Sequence, residues 1–351
     1  MTEGPSMADS ELQLVNGSGT GAARGEGSIV QVVVPTLDTL ILATGLLGHS
    51  LVVAILAGRR RKDSRAPHST DTLLLALSAA DVLLLLCLPF HTSAIALGRW
   101  PFGGFLCKAI SFLGVACSAA SVFTLAALAV TRYLTVVHPN WAFRSQMRQR
   151  ITLVAALLWA PALALAAPQF AFRTVSSSSA VYCFAFLSDV SQLVYSAALF
   201  LCAFALPLGV IVLMYAKIYR FLRGAGQLGA PRLERYQKQV TLTSALLVVV
   251  FTLLWLPSYA LMFSFVGGTV GGTEGFRYVA LLARLLASSA ALVNPVLYVF
   301  MSQKFRRDLA ALGGRRWEDC RRFLRGCPYA RGNRDTVRPF VLDTTSDGAQ
   351  N

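Results

Sequence analysis

Seven stretches of this chain are each long and apolar enough to cross a bilayer, and that leaves it few possible folds. A hydrocarbon core takes about 20 apolar residues as a helix, because every backbone N–H and C=O must be satisfied within the segment. The expected spans run at about residues 31–57, 71–92, 104–136, 149–171, 189–220, 237–266 and 277–301. Pro89, Pro161, Pro207, Pro257 and Pro295 fall inside them. Neighbouring helices in a membrane bundle re-satisfy the carbonyls that proline frees. Composition agrees: 55% of the residues are hydrophobic and 14% charged, where soluble domains carry about a quarter charged. The expected fold is an all-α membrane protein, a seven-transmembrane helix bundle.

The net charge of +15 is unevenly placed. Basic residues crowd "GRRRKDSRAPH" after the first span and "HPNWAFRSQMRQR" after the third. Lys217, Arg220, Arg223, Arg232, Arg235 and Lys238 follow the fifth, and "KFRRDL" and "GGRRWEDCRRFLRG" follow the seventh. The opposite connections hold few: Arg99, Lys108, Arg173 and Arg277. The positive-inside rule then puts the basic loops and the C-terminus in the cytoplasm and the N-terminus outside. The same alternation fits lipid headgroups and not a nucleic-acid groove.

Residues 1–30 read as a disordered outer tail, rich in Gly and Ser and without a signal-peptide core. It holds one glycosylation candidate, Asn16 in Asn16-Gly17-Ser18. Residues 31–301 form the membrane domain. Residues 302–313 are expected as a short amphipathic cytoplasmic helix, with Phe305 and Leu309 towards lipid and Lys304, Arg306 and Arg307 towards headgroups. Residues 314–351 form a cytoplasmic tail. No internal repeat is present, and an odd number of spans argues against a doubled transporter. Four histidines, mostly at loops, make no metal cluster, and no Gly-x-Ser-x-Gly or His-Glu-x-x-His points to an enzyme.

Several motifs carry more than topology. "TRY" (131–133) closes the third span, "LWLP" (254–257) lies in the sixth and "NPVLY" (294–298) in the seventh. Cys107 opens the third span, Trp159 lies in the fourth, Cys183 follows it and Pro207 lies in the fifth. Together, in this order, they resemble the rhodopsin-like G-protein-coupled receptors over about residues 31–313. "WPFGGFLCK" and "SVFTLAALAVTRYLTVVHP" are most similar to the galanin-receptor branch of peptide receptors. The resemblance implies a plasma-membrane receptor that binds an extracellular neuropeptide and activates a heterotrimeric G protein of the inhibitory class. Arrestin and membrane lipids are implied as further partners. The alternative is an orphan that no longer couples and acts as a decoy or scaffold.

The resemblance also implies roles for residues. Cys107 and Cys183 would be joined in a disulfide. Cys87, Cys117 and Cys202 fall within apolar runs and read as packing residues. Cys320 and Cys327 are palmitoylation candidates, with free thiols as the alternative. Arg132, flanked by Tyr133, would meet the Gα subunit, with His138-Pro139 and Phe143 nearby. Phe251, Trp255 and Pro257 would form the hinge of the sixth span, acting with Asn294, Pro295 and Tyr298. Tyr215 and Tyr298 match tyrosines that turn towards the arginine on activation. Thr131 stands where the family places an acid, and Gln237 where many receptors have glutamate. Two acidic restraints on Arg132 are thus missing, and basal signalling is expected.

Asp81, Ser121 and Asn294 match residues with which the family holds a sodium ion, a hard cation that takes oxygen ligands. Two departures count against it. His49 replaces the usual asparagine, and Ala290 and Ala291 replace small polar groups. A protonated His49 beside Asp81 would substitute an internal pair for the ion. The cofactor expectation is none, with sodium as the candidate. Gly114 stands where amine receptors carry aspartate, which argues against an amine ligand. The expected ligand pocket is His91, Lys108, Gln169, Tyr259, Met262, Phe263 and Arg284, cationic and aromatic groups suited to a peptide. Arg284 has a second reading: Asp38, at similar depth in the first span, would pair with it structurally. Both readings stand open from sequence.

Overall fold

The computed structural model describes residues 21–62, 69–138, 145–175, 183–185, 189–226, 231–266, 274–301 and 306–310. Its helices are α1 (Gly21–Lys62), α2 (Ser69–Leu97), α3 (Gly103–Val137), α4 (Ser145–Leu157), α5 (Trp159–Phe172), α6 (Asp189–Phe200), α7 (Leu206–Gly226), α8 (Pro231–Val266) and α9 (Glu274–Met301). A single π turn, Leu201–Ala205, joins α6 to α7. Two short strands, β1 (Arg173–Val175) and β2 (Cys183–Ala185), pair antiparallel with Arg173 opposite Ala185 and Val175 opposite Cys183.

Among the described residues six helical segments are long and apolar enough to span a membrane. They run Val30–Arg59, Thr70–Leu97, Gly103–Val137, Arg150–Phe172, Val190–Gly224 and Tyr278–Val296. A shorter apolar helix, Val248–Ser264, lies within α8 and supplies the seventh crossing. These positions follow the expected spans closely. The first helix begins at Gly21, ahead of the boundary at 31, because a helix satisfies its own backbone and can extend past the apolar segment. Large apolar side chains face outward along the spans, among them Leu47, Leu206 and Leu253. In a bilayer these meet lipid.

The third helix is the hub. It packs against α2, α5, α7 and β1, and α1 closes the ring by packing on both α2 and α9. More than half of its apolar window is buried (56%), against 22% for the windows of α4–α5 and of α6–α7. Small residues make the close approach possible. Ala80 of α2, Ala119 and Ala120 of α3, Ala162 of α5 and Ala203 of the π turn form one buried cluster, with Trp159 packed against it.

Proline sets the irregularities. Pro161 cannot donate to the carbonyl four residues back, and the fourth span, expected as one helix over 149–171, loosens for one residue at Leu158, between α4 and α5, where the backbone stays helical and the Leu158 N–H still reaches the Val154 carbonyl at 3.0 Å. The fifth span widens into the π turn just before Pro207, where the Leu206 N–H bonds back five residues to the Leu201 carbonyl. The connection from α2 to α3 is short, and two glycines with positive φ turn it, Gly98 (62°) and Gly103 (78°). Trp100 fills the turn and its indole N–H donates to the Gly103 carbonyl at 2.9 Å.

Residues up to Arg306 belong to one compact unit, and Arg307–Asn351 to another. Of the amphipathic stretch expected at 302–313, residues 306–310 are helical. The remainder, including Lys304 and Phe305, lies outside the described residues, as do Asn16, Pro139, Phe143, Cys320 and Cys327.

Candidate functional site

The site begins with a clamp at one end of the bundle. Cys107, in the first turns of α3, and Cys183, on β2, form a disulfide with Cα atoms 5.6 Å apart. It ties the β hairpin to the top of α3. Val175, Trp100 and Phe102 pack around it with Cys87 and Ile110. Because β1 follows α5 directly, this anchoring decides where Arg173 points.

Beneath the hairpin lies a cavity of ≈ 620 Å³. Of the expected pocket residues, His91, Tyr259, Met262 and Arg284 line it. Lys108, Gln169 and Phe263 do not, and each is placed by something else. Phe263 turns to Phe200, edge to face at 5.6 Å. Gln169 is a support: its carbonyl accepts from Arg173 Nε at 2.8 Å and its amide nitrogen donates to the Tyr195 hydroxyl at 3.3 Å. Tyr195 in turn donates to the Leu165 carbonyl at 3.1 Å. Lys108 is half-buried beside the disulfide but outside the cavity wall.

The wall also holds a residue that the sequence reading counted only as a loop charge, Arg173. One signal was available: it lies four residues after Gln169 and ten before the clamped Cys183. Gly114 adds open space, since a Cβ built there meets no atom within 4 Å.

Arg284 faces the cavity from α9 while its Nη2 donates to Asp38 Oδ2 at 2.9 Å. Thr92 of α2 donates to the same oxygen at 2.6 Å. Asp38 is almost fully buried, so α1, α2 and α9 are joined there by one carboxylate. The pair weighed from sequence is formed.

Trp255 is the floor. It lines the large cavity and also a smaller one of ≈ 30 Å³ that reaches Asp81, Ser121 and Asn294. Aromatic rings continue from it across two helices. Phe251, one turn away on α8, stacks on Phe204 of the π turn with centroids 5.5 Å apart and planes 11° apart. Tyr259 touches Phe204 at 5.2 Å and Phe200 at 5.6 Å. The π turn is what presents Phe204 to α8.

In the polar centre, Ser121 Oγ donates to Asp81 Oδ1 and Asn294 Nδ2 to Asp81 Oδ2, both at 2.7 Å. His49 Nε2 stands 3.6 Å from Asp81 Oδ2 but only 2.9 Å from the Ala291 carbonyl. That carbonyl would normally accept from the residue four positions on, which is Pro295 and has no N–H. His49 therefore supplies the donor that proline removes. Gly48 lets α1 come that near: a Cβ there would sit 3.1 Å from Pro295.

At the opposite end of α3, Thr131 is buried and its hydroxyl donates to the Ala127 carbonyl of its own helix at 2.8 Å. It does not reach sideways to Arg132. Among the described residues no carboxylate lies within ion-pair distance of Arg132. Tyr133 is held between the His138 ring, edge to face at 5.8 Å, and the Lys217 ammonium, 5.6 Å over its face. Tyr215 is buried on α7, and Tyr298 lies on α9.

Comparison with known proteins agrees with this arrangement. The chain is 31% identical over 272 residues to the galanin receptor type 1 of Rattus norvegicus, covering 76% of this chain and 78% of that protein. It is 32% identical over 324 residues to the galanin receptor type 3 of Homo sapiens, covering 86% and 88%. An allatostatin-A receptor of Bombyx mori is 30% identical over 292 residues, covering 79% and 78%. The family model of the 7 transmembrane receptor (rhodopsin family) matches residues 48–298. A multi-pass helical bundle, a disulfide clamp over a deep cavity and this match agree: the chain belongs to the rhodopsin family of seven-transmembrane receptors.

Proposed function

We propose that this receptor sits in the plasma membrane with its N-terminus and the disulfide end outside, takes one end of a peptide in the ≈ 620 Å³ cavity, and activates an inhibitory-class G protein at the Arg132 end. The observation that carries this is the position of Trp255. It is wall to both the outer cavity and the polar centre, so a ligand that presses on it acts on both. Pro257, two residues on, interrupts the α8 hydrogen-bond ladder and provides the bend. The orientation rests on the basic connections at the Arg132 end. The peptide class rests on the relatives named as galanin and allatostatin-A receptors. Tyr133, Tyr215 and Tyr298 are the partners proposed for Arg132 in coupling. Arrestin contact at the same end, glycosylation at Asn16 and palmitoylation at Cys320 and Cys327 belong to the same reading.

We infer that hydrogen bonds, and not a sodium ion, hold the polar centre. Hard cations need oxygen ligands that are free to coordinate. Here both Asp81 oxygens already accept a hydrogen bond, Asn294 presents its amide N–H, and Ala290 and Ala291 offer only methyl groups. Asp81, Ser121 and Asn294 are read as a hydrogen-bonded core joining α2, α3 and α9.

The test is guanine-nucleotide exchange on purified Gα subunits of the inhibitory and the other classes by the full chain in nanodiscs, challenged with a peptide library. The expected result is exchange raised by at least one peptide, with the same potency in sodium and in N-methylglucamine buffer. Exchange absent with every Gα class and every peptide would favour the decoy or scaffold reading.

A further inference from the structure

The outer cavity carries a charge that the described residues do not balance. Two guanidinium groups line it, Arg173 and Arg284, with the imidazole of His91. The charges of both arginines and of Asp38 bear on that ring. Among the described residues only one carboxylate answers them. Asp38 takes Arg284 Nη2 at 2.9 Å from behind the wall, itself almost inaccessible and outside the cavity lining. Arg284 Nη1 is buried and has no acceptor among the described residues.

Among the described residues Arg173 is bound only to neutral groups. Its Nε donates to the Gln169 side-chain carbonyl at 2.8 Å and its Nη1 to the Cys183 carbonyl at 3.2 Å. Among the described residues no carboxylate stands within ion-pair distance of it. A guanidinium has five N–H donors in a planar fork, so most of this fork remains for a ligand. The two protein contacts hold the fork in place beforehand, which reduces the ordering cost of binding.

The rest of the wall decides what kind of anion fits. No acidic side chain lines the cavity among the described residues, so a cationic ligand gains nothing there. Leu88, Val115, Met262 and Ala287 make it apolar, and Trp255 and Tyr259 add aromatic surface. A cation beside apolar walls is poorly hydrated, and it attracts an anion more strongly than one in open water. A planar fork matches a carboxylate, which accepts two parallel N–H bonds. The volume suits a group of two or three residues, not a whole peptide.

We propose that the cavity is a carboxylate subsite: Arg173 pairs with a ligand carboxylate, Arg284 supplies a second cationic contact from its Asp38 anchor, and an adjoining apolar or aromatic group rests on Trp255 and Tyr259. This rests on the reading of the cavity as the ligand site. The carboxylate belongs either to the C-terminus of a peptide or to a small aromatic acid, and the test separates these sources.

Full-length receptor in nanodiscs is titrated with aromatic-ended tripeptides, each made as the free acid and as the C-terminal amide. Arylalkanoic acids and their amides are titrated in parallel. Binding is read by isothermal calorimetry and by the shift in melting temperature. One or both sets of acids are expected to bind, and their amides at least about tenfold more weakly. Preference confined to tripeptide acids assigns the peptide source, and preference among the simple acids assigns the small-acid source. Arg173→Gln should remove the acid-over-amide preference. Arg173→Lys, which keeps the charge and loses the fork, should keep its sign at reduced size. Ligand-free melting temperatures of the variants report folding separately. Equal binding of acid and amide by the wild-type chain, or no acid bound at millimolar concentration, overturns the proposal. Basal nucleotide exchange on the same preparations judges the receptor reading independently, so one can fail without the other.

Discussion

Asp38 and Arg284 show what a single buried charge demands of its neighbours. Asp38 is 1% exposed and accepts from Arg284 and from Thr92. Arg284→Gln leaves that carboxylate without its counter-ion, and breaking a buried pair by removing one partner costs about 3–5 kcal/mol. The expected outcome is loss of surface expression and a lower melting temperature. The double variant Asp38→Asn with Arg284→Gln is expected to recover most of both. A double variant as unstable as Arg284→Gln alone would rule out the paired role. The two residues were visible in the sequence as candidates for each other, because both lie inside apolar runs where a lone charge is costly. Arg173 was not singled out, because a charge in a loop usually faces water. Only the disulfide-clamped hairpin turns it inward. Lys108 and Phe263 failed the reverse way: one sits beside the cavity, and the other spends its face on Phe200.

Elements bend where hydrogen bonds are missing, and the bends are repaired by other elements. Pro295 leaves the Ala291 carbonyl of α9 without a partner, and His49 of α1 donates to it at 2.9 Å. A neutral ring with the proton on Nε2 makes this bond; His49 Nδ1 has no partner among the described residues. The imidazolium–Asp81 pair considered from sequence is the weaker contact, at 3.6 Å. His49→Leu keeps the volume and removes the donor. A buried acceptor left unsatisfied costs about 1–3 kcal/mol, so thermal unfolding in detergent should shift down accordingly. An unchanged melting temperature would mean that water or another group takes over the carbonyl. The spans themselves were legible to within a few residues, since bilayer thickness sets their length. Their interruptions were legible less well. Pro161 and Pro207 were seen, but not that one loosens its helix for a single residue at Leu158 and the other sits behind a π turn.

For the whole molecule the question is how firmly the resting state is held. Thr131 spends its hydroxyl on its own helix, and among the described residues Arg132 has no charged restraint. Tyr133, between His138 and Lys217, ties α3 to α7 instead, through contacts weaker than an ion pair. Basal nucleotide exchange is therefore expected. Thr131→Asp, which restores a charge-assisted contact, should lower it by an amount equivalent to about 1–2 kcal/mol, or several-fold to about 30-fold. Measured at matched surface expression, a silent wild type with an unchanged variant would sink this expectation.

The sequence alone determined seven crossings, the alternation of basic and bare connections, the two cysteines available to a clamp and the polar residues too costly to bury without purpose. These follow from quantities local to the chain: the length of an apolar run, the cost of a charge in hydrocarbon, the missing N–H of proline. The tertiary structure decided who meets whom. Arg284 and Asp38 are 246 positions apart, and Asn294 and Asp81 are 213. Contacts at that separation depend on the rotation of each helix about its axis, which packing against all its neighbours sets. The same packing turned Arg173 into the cavity and gave Trp255 a face in each of the two chambers.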